Sequence, residues 1–513
     1  MGQQTTVIKK TKKESQKRVK RKEANLEVTK ERYNEKKDLG RLAYKTMKLG
    51  FDNFEFYNLQ PKSPNDIFDG CGRVTPYYEQ LLWNLSKITP ADLKKRIDKA
   101  NYTLWAEGVT FLLEGNDFRI LPVDWFPRIV PKEHWKIIEK GLKQRLKAIN
   151  IFLKEAYSGK GTFIPKELYE NSIYWQPELV GQSIPRDTYV SIYGPDLVHM
   201  GNGNYVLLED NLRIPSGSSY AMEYRGVTKR VFPEFFEGYN VAEFDTCSLI
   251  KEAARHLSHN RDPNPVIVLL TPGIYNSAYY DHKYLAEHMG IPLVEGSDLY
   301  IDTDGRVVLK SPDGEVNVDV IYRRIQDLDI FTPGLSKAYF KGKVNLMNAL
   351  GTGIADDKGI FPYVEDMIRE YLSEEPILKG AKTYSPRRKN DYEYIMKHAK
   401  ELVIKAREGY GGHEVIIGPE VPNEVIESCK NAIRKNPEQF IAQECLDFGT
   451  QALMNVENDK IVLKSSYVDL RCYVIHGKET EIAKGGLTRV AQLGTRIVNS
   501  SSGGMCSDTW VLR

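Results

Sequence analysis

Five consecutive apolar residues, Val266-Ile267-Val268-Leu269-Leu270, constrain this chain more than any other stretch. A strand that is apolar on both faces has to be covered on both faces, as in a parallel sheet with helices packed against it. Thr271-Pro272-Gly273 ends the run. A helix is expected over 277–289, closed by Gly290, and 291–294 reads as the next short strand. That is a β-α-β unit, which places the chain in the α/β class. Asp319-Val320-Ile321-Tyr322 adds a strand that ends in Arg323 and Arg324. Arginines at strand ends of an open α/β sheet stand where ligands bind. Salt bridges on a solvated edge account for them nearly as well.

A second stretch carries the chemistry. Tyr205-Val206-Leu207-Leu208 is apolar and strand-compatible, and Glu209-Asp210-Asn211-Leu212-Arg213 follows it. Side chains alternate along a strand, so Glu209 and Asn211 share one face and Asp210 takes the other. A carboxylate and an amide oxygen on one face are hard oxygen ligands, suited to a Mg²⁺ that also holds phosphates. Asn202-Gly203-Asn204 is a turn signal, so Asp196-Leu197-Val198 should pair with this strand as a hairpin. That pairing brings Asp196 near Glu209 as a third oxygen ligand. Arg213 follows at the same parity, placed for an anion. A strand end with ordinary polar caps is the plainer alternative.

Elsewhere the chain alternates helices and strands. Thr89-Pro90-Ala91-Asp92 is a helix start, and a long amphipathic helix is expected over 133–157. Trp135, Ile138, Leu142, Leu146, Ile149 and Phe152 form its apolar stripe, which is core packing. Beyond 351, one helix is expected from Ala355 to about 372, with Lys358 near its start. Leu402-Val403-Ile404-Lys405 reads as a strand. A glycine loop containing Gly409, Gly411 and Gly412 follows, with a return strand at 414–417. A loop between two strands is not a Walker loop, which runs from strand to helix. Its bare amides can still close over phosphates, and Lys405 supplies a point charge to them. Phe440-Ile441-Ala442 leads into Gln443-Glu444, a pair suited to the edge of an adenine and to ribose hydroxyls. The nine histidines do not cluster, and the sequence patterns of serine hydrolases, zinc proteases and protein kinases are missing.

Charge is unevenly spread. The whole chain carries +3, but residues 1–40 alone carry +7, so the body is slightly acidic. The arm at 1–45 is expected to be disordered or a solvated helix. It could touch nucleic acid or another anionic partner through charge, and a mixed-charge solvating role is the blander alternative. Met1-Gly2-Gln3-Gln4-Thr5-Thr6 fits the loose myristoylation pattern, which chance also explains. The six cysteines form no C-x-x-C pair, which argues against a disulfide scaffold or a structural zinc. No run is long enough to span a membrane and no signal-peptide core is present, so a cytoplasmic protein is expected.

These features together resemble the circularly permuted type 2 ATP-grasp family, related to the glutathionylspermidine synthetase branch of ATP-grasp ligases. The phrases that carry the resemblance run in order along most of the chain. They include Pro127-Arg128-Ile129, Leu208-Glu209-Asp210-Asn211 with Pro215-Ser216-Gly217, Tyr322-Arg323-Arg324, and Ala355-Asp356-Asp357-Lys358. Asp469-Leu470-Arg471, Gly485-Gly486-Leu487-Thr488-Arg489-Val490 and Asp508-Thr509-Trp510 complete them. The resemblance implies an α/β (α+β) ATP-grasp core, permuted so that the metal strand precedes the lysines. It also implies four parts: the arm at 1–45; a helical region with the metal-binding strands at 46–240; a Rossmann-like pre-ATP-grasp domain at 241–350; and the nucleotide-binding part at 351–513. By resemblance Lys358 and Lys405 are the nucleotide lysines, and Gln443 and Glu444 line the adenine. By the same resemblance Glu209 and Asn211, together with Asp196, would hold Mg²⁺. One departure is clear. The family usually reads Gly-Gly-Gly-Ser-Lys-Asp-Thr-Trp near its end, whereas this chain has Gly503-Gly504-Met505-Cys506-Ser507-Asp508.

The leading expectation is an ATP- and Mg²⁺-dependent ligase that joins a carboxylate to an amine through an acyl phosphate, releasing ADP and phosphate. Arg213 and Arg324 are the candidates for steadying the carboxylate or acyl phosphate. A catalytically weak ATP-binding scaffold with a basic partner-binding arm is the alternative, motivated by the altered 504–507 segment. A phosphotransferase that stops at a phosphorylated product is a third reading.

Overall fold

A computed structural model describes residues 45–47 and 54–513, apart from 61, 70, 71, 113–117, 259–263, 313, 327, 408–414 and 499–503. The arm up to 44 and the loop glycines Gly409, Gly411 and Gly412 therefore lie outside the described residues.

Strand β1 (Phe54–Asn58) precedes helices α1 (Pro76–Leu85) and α2 (Pro90–Ala106). The Thr89 side chain caps α2 by accepting from the Asp92 amide, as its sequence predicts. Strand β2 (Val123–Val130) leads into α3 (Lys132–Tyr157), the long amphipathic helix. Its stripe from Trp135 to Phe152 is at most 3% exposed. The hairpin β3 (Asp196–His199) and β4 (Tyr205–Glu209) follows, then α4 (Ser218–Val231).

The next part holds the parallel strands β5 (Ile267–Leu270), β6 (Leu293–Val294), β7 (Val320–Arg323) and β8 (Asn345–Met347). Helix α5 (Tyr279–Met289) joins β5 to β6 and ends on the left-handed Gly290. All three ladders are parallel, and the order is β6-β5-β7-β8. β5 is buried along its whole length, as its unbroken apolar run requires. The winding direction changes between β5 and β7, and Arg324 stands at the exit of β7.

The helix expected over 355–372 is broken. Helix α6 (Gly353–Asp356) stops, a 3₁₀ turn spans Phe361–Tyr363, and α7 (Val364–Leu372) resumes. Asp357 takes an extended backbone, with ψ 124°. Gly359 and Pro362 are poor helix formers in this gap, and the Asp357 side chain is drawn to another part of the chain.

Two sheets meet at the site. Strands β9 (Lys379–Gly380) and β10 (Thr383–Tyr384), helix α8 (Lys389–His398), strands β11 (Leu402–Ala406) and β12 (Val415–Ile417), helix α9 (Asn423–Lys435) and strand β13 (Phe440–Glu444) come in that order. All of these strands except β9 build a small antiparallel sheet, β10-β13-β11-β12. One face of it packs with Ile395 of α8 and Ile426 and Ile433 of α9. The chain ends with β14 (Thr450–Glu457), β15 (Lys460–Arg471), β16 (Leu487–Val490) and β17 (Met505–Val511). The central ten-stranded sheet runs β9-β4-β3-β15-β16-β17-β2, with β1 and β14 also paired to β15 and the short strand Lys45–Met47 paired to β1. Pro127 is tolerated because β2 is an edge of this path, and the register with β17 shifts beside it. No helix among the described residues is long and apolar enough to cross a membrane.

Candidate functional site

Asp196 and Glu209 lie directly opposite each other in the β3–β4 hairpin, as the turn signal between them predicts. At the end of β4 consecutive side chains part. Asp210 is sealed inside, bonded to Arg145 of α3 at 2.8 and 2.6 Å and to the Tyr193 hydroxyl at 2.5 Å. Glu209 turns the other way, with its Oε1 2.8 Å from Nζ of Lys358.

The small sheet forms the facing wall. On β11 and β13, Ile404 and Ala442 point into the helix-covered core. Strand alternation then turns Lys405 and Gln443 toward the central sheet. Lys405 Nζ donates to Gln443 Oε1 at 2.5 Å. The Gln443 amide nitrogen donates to Thr383 Oγ1 at 3.0 Å and to the Leu208 carbonyl at 3.4 Å. Gln443 therefore spans the seam, touching the residue before Glu209. The Glu444 backbone N–H donates to the Lys382 carbonyl at 3.0 Å, beside the same seam.

Two lysines share the seam with the Glu209 carboxylate. Burial pushes the Lys405 ammonium down to about 8; Glu209 opposes this and Lys358 adds to it. Burial works to raise the Glu209 carboxyl, but Lys358 and Lys405 outweigh it and hold that carboxyl below its ordinary value. Two lysines thus converge on one carboxylate, an arrangement that favours an incoming polyanion.

Asp196 is differently placed. Arg471 grips it at 2.8 and 2.7 Å, and Arg489 approaches the same carboxylate at 2.9 Å. Burial works against its ionisation, yet these two arginines bring its pKa down to about 2. Arg489 is also paired with Asp469, its partner across the β15–β16 ladder. Asn211 donates to the Gly194 carbonyl at 2.9 Å and to Asp196 at 3.2 Å. As donors toward Mg²⁺, Glu209 Oε2 and Asn211 Oδ1 fit, since neither has a protein partner among the described residues. Asp196 has both oxygens engaged by arginine. Among the described residues no group of three or more His, Cys, Asp or Glu is arranged to hold a metal. The oxygen set here is two carboxylates and an amide.

The two arginines named from sequence differ in setting. Arg213 lies beside the seam, its Nε 2.5 Å from Asp356 and its guanidinium 4.1 Å from the Tyr174 ring centroid. Arg324 is 3% exposed and committed to the fold. It donates to the Pro215 carbonyl at 2.7 Å and to Asp281 at 3.1 Å. Asp281 also accepts from the amides of Gly217 and Ser219, so the crevice at the end of β7 is filled by the chain's own 215–219 segment. The departing residues Met505, Cys506 and Ser507 begin β17 and pair with Val490, Arg489 and Thr488. The change in wording therefore falls inside the sheet.

Sequence reasoning missed Arg471 and Arg489. Their side chains are 15% and 13% exposed, and each leaves Nη1 without a protein partner among the described residues. Asp469 and Arg471 share a strand face, which was the available signal. That Arg489 joins them depends on ladder register, which sequence does not specify.

Comparisons with known proteins bear on the family and the fold. Residues 127–491 match the family of circularly permuted type 2 ATP-grasp proteins. An uncharacterized protein of Synechocystis sp. is 38% identical over 480 residues, covering 89% of this chain and 99% of its own length. An uncharacterized protein of Mycobacterium tuberculosis is 37% identical over 466 residues, 87% of this chain and 84% of that protein. A protein of Frankia casuarinae, whose name assigns it provisionally to the glutamate–cysteine ligases, is 34% identical over 88% of this chain. The match spans only 54% of that longer protein. Among solved structures, a glutathione synthetase-like effector from Globodera pallida superposes with a TM-score of 0.56 at 12% identity, over 82% of this chain and 98% of that one. That likeness is one of fold. The matched family, the shared length of the relatives and the mixed α/β architecture together make this chain a member of the circularly permuted type 2 ATP-grasp family.

Proposed function

We propose that the chain is an ATP-dependent ligase that activates a carboxylate as an acyl phosphate and passes the acyl group to an amine, releasing ADP and phosphate. The observation that carries this reading is the convergence of Lys358, Lys405 and Glu209 at the seam of the two sheets. The family supplies the nucleotide. The name of the Frankia relative supports a carboxylate–amine pair, although that protein has nearly half its length outside the match.

In this reading Lys358 and Lys405 hold the phosphates, and the cationic seam stabilises charge on the transferring phosphoryl group. Glu209 and Asn211 would hold Mg²⁺, which when bound neutralises phosphate charge. With Glu209 given to that role, Lys358 would be free to hold phosphate. Gln443, with the adjacent Glu444, borders the base. Arg213, Arg471 and Arg489 point donors toward the carboxylate and the acyl phosphate. Arg324 holds the 215–217 segment beside them. Asp196 orients Arg471 and Arg489, and serves the metal only if they release it. Residues 241–350 act as the pre-ATP-grasp domain, 46–240 carry the metal strands, and 351–513 carry the nucleotide grip.

The test is turnover with mixed carboxylates and amines, reading ADP against AMP. Amine-dependent ADP formation that is lost in Lys405→Ala and in Glu209→Gln supports the ligase. Turnover like the wild type in both variants contradicts it. Nucleotide binding without turnover over a broad panel favours a scaffold that binds partners through its basic arm.

A further inference from the structure

Asp356, Asp357 and Lys358 are consecutive, and each makes an ion pair with a residue distant in sequence. Asp356 accepts from Arg213 Nε at 2.5 Å and from the Leu212 amide at 2.6 Å. Lys358 pairs with Glu209 at 2.8 Å. Both contacts hold the end of β4, in the central sheet. Asp357 reaches the opposite way and binds Arg407 through two bonds, at 2.8 and 2.6 Å. Arg407 directly follows β11 of the small sheet. We propose that this three-residue turn is the positioning keystone of the site, with the Asp357–Arg407 pair fixing the small sheet against the metal strand. The proposal rests on the nucleotide reading above.

The geometry gives the pair its leverage. Lys358 is the residue after Asp357, and Lys405 lies two residues before Arg407. At about 3.3 Å of rise per strand residue, two residues of β11 separate Lys405 from Arg407 by roughly 7 Å. The ion pair therefore links the two backbone segments that carry the lysines. Like charges placed together repel, so holding them in register needs a stiff clamp.

The pair is built as such a clamp. Its side chains are 2% and 8% exposed. Arg407 also donates to the carbonyls of Leu168 at 3.1 Å and Glu438 at 3.2 Å, and its own amide donates to the Gln439 carbonyl at 2.9 Å. Asp357 further accepts from Ser172 Oγ at 2.7 Å and from the Gly359 amide at 2.8 Å. Gly359 leaves room for the guanidinium: a Cβ there would lie 2.5 Å from Arg407 Nε. The run Asp357-Lys358-Gly359 is thus explained residue by residue. The carboxylate grips, the lysine is positioned and the glycine makes way.

The experiment measures affinity for a non-hydrolysable ATP analogue with Mg²⁺, beside thermal stability, in the full chain. Asp357→Asn and Arg407→Gln should each weaken binding by about 10- to 100-fold. Because both act through one contact, the double variant should be no weaker than the weaker single, within about twofold. Gly359→Ala is the gentler probe and should weaken binding in the same direction. Arg225→Met breaks a comparably buried pair with Asp508 in another part of the fold. It should lower the melting temperature while leaving affinity within about twofold. Unchanged affinity in folded Asp357→Asn and Gly359→Ala overturns the keystone, as does an equal loss in Arg225→Met. If the wild-type protein binds no nucleotide, the reading beneath fails, and the keystone with it.

Discussion

Replacing Lys405 by methionine keeps the length of the side chain and removes only its charge and donors. Among the described residues the lysine makes one hydrogen bond, to Gln443 Oε1 at 2.5 Å, and it is pressed by burial and by Lys358. A hydrogen bond to a neutral acceptor contributes about 1 kcal/mol to stability. The desolvation and repulsion that depress its pKa offset that contribution, so Lys405→Met should change stability by less than about 1 kcal/mol. Nucleotide binding should respond differently. A charge-assisted bond to phosphate contributes roughly 1.5–3 kcal/mol, less whatever Lys405 gives up when it leaves Gln443. A net loss of about 1.4–2.8 kcal/mol is a 10- to 100-fold weaker affinity. Titration calorimetry with the ATP analogue, repeated from pH 7 to pH 9, reads both magnitude and sign. The unliganded lysine gives up its proton at about 8, and phosphate favours the charged form. Wild-type affinity is therefore full below that pH and falls as pH rises through it, by at most about tenfold per unit. The variant should be flat over the same range. A variant that binds as tightly as the wild type, or one that keeps the alkaline loss, refutes the placement of Lys405 at the phosphates.

Other parts of the account can be checked separately. Asp210→Asn breaks the buried bond to Arg145 and should cost about 3–5 kcal/mol in denaturant unfolding, because it leaves a buried guanidinium unpaired. Gly296→Ala puts a Cβ 2.1 Å from the Phe331 carbonyl oxygen. It should destabilise by about 1–3 kcal/mol without changing nucleotide affinity. Asp66 is buried, yet Arg128 and His199 hold its pKa down to about 2. A depressed carboxylate stabilises above its ordinary pKa and loses that contribution as pH falls. Asp66→Asn should therefore flatten the dependence of unfolding free energy on pH between about 4 and 2. Glu209→Gln should leave calorimetric binding of metal-free nucleotide close to that of the wild type and weaken its enhancement by Mg²⁺, because it removes an anionic oxygen.

How far the sequence could be read follows from the range of each signal. Local periodicity located α3, the β5-α5-β6 unit and the β3–β4 hairpin, because each is decided by neighbours within about ten residues. It failed between 355 and 372, where the pull of Arg407 on Asp357 breaks the helix from some fifty residues away. Parity along β4 separated Glu209 from Asp210 correctly, since alternation needs only strand geometry. Arg324 illustrates the limit. Its position at a strand end is legible, but its burial under the 215–219 segment depends on a contact across more than a hundred residues. The cluster of Asp196, Asp469, Arg471 and Arg489 was out of reach for the same reason, because two ladders create it.

A ligase that activates its carboxylate by phosphoryl transfer releases ADP and passes through an acyl phosphate. Hydroxylamine is a small, strong nucleophile that traps an acyl phosphate as a hydroxamate. Incubating the protein with Mg-ATP, hydroxylamine and a panel of amino acids and short peptides makes the measurement independent of the natural amine. The expected result is hydroxamate with ADP and phosphate in equal amounts, abolished by Lys405→Met. Formation of AMP and pyrophosphate, or ADP without hydroxamate over the whole panel, contradicts it.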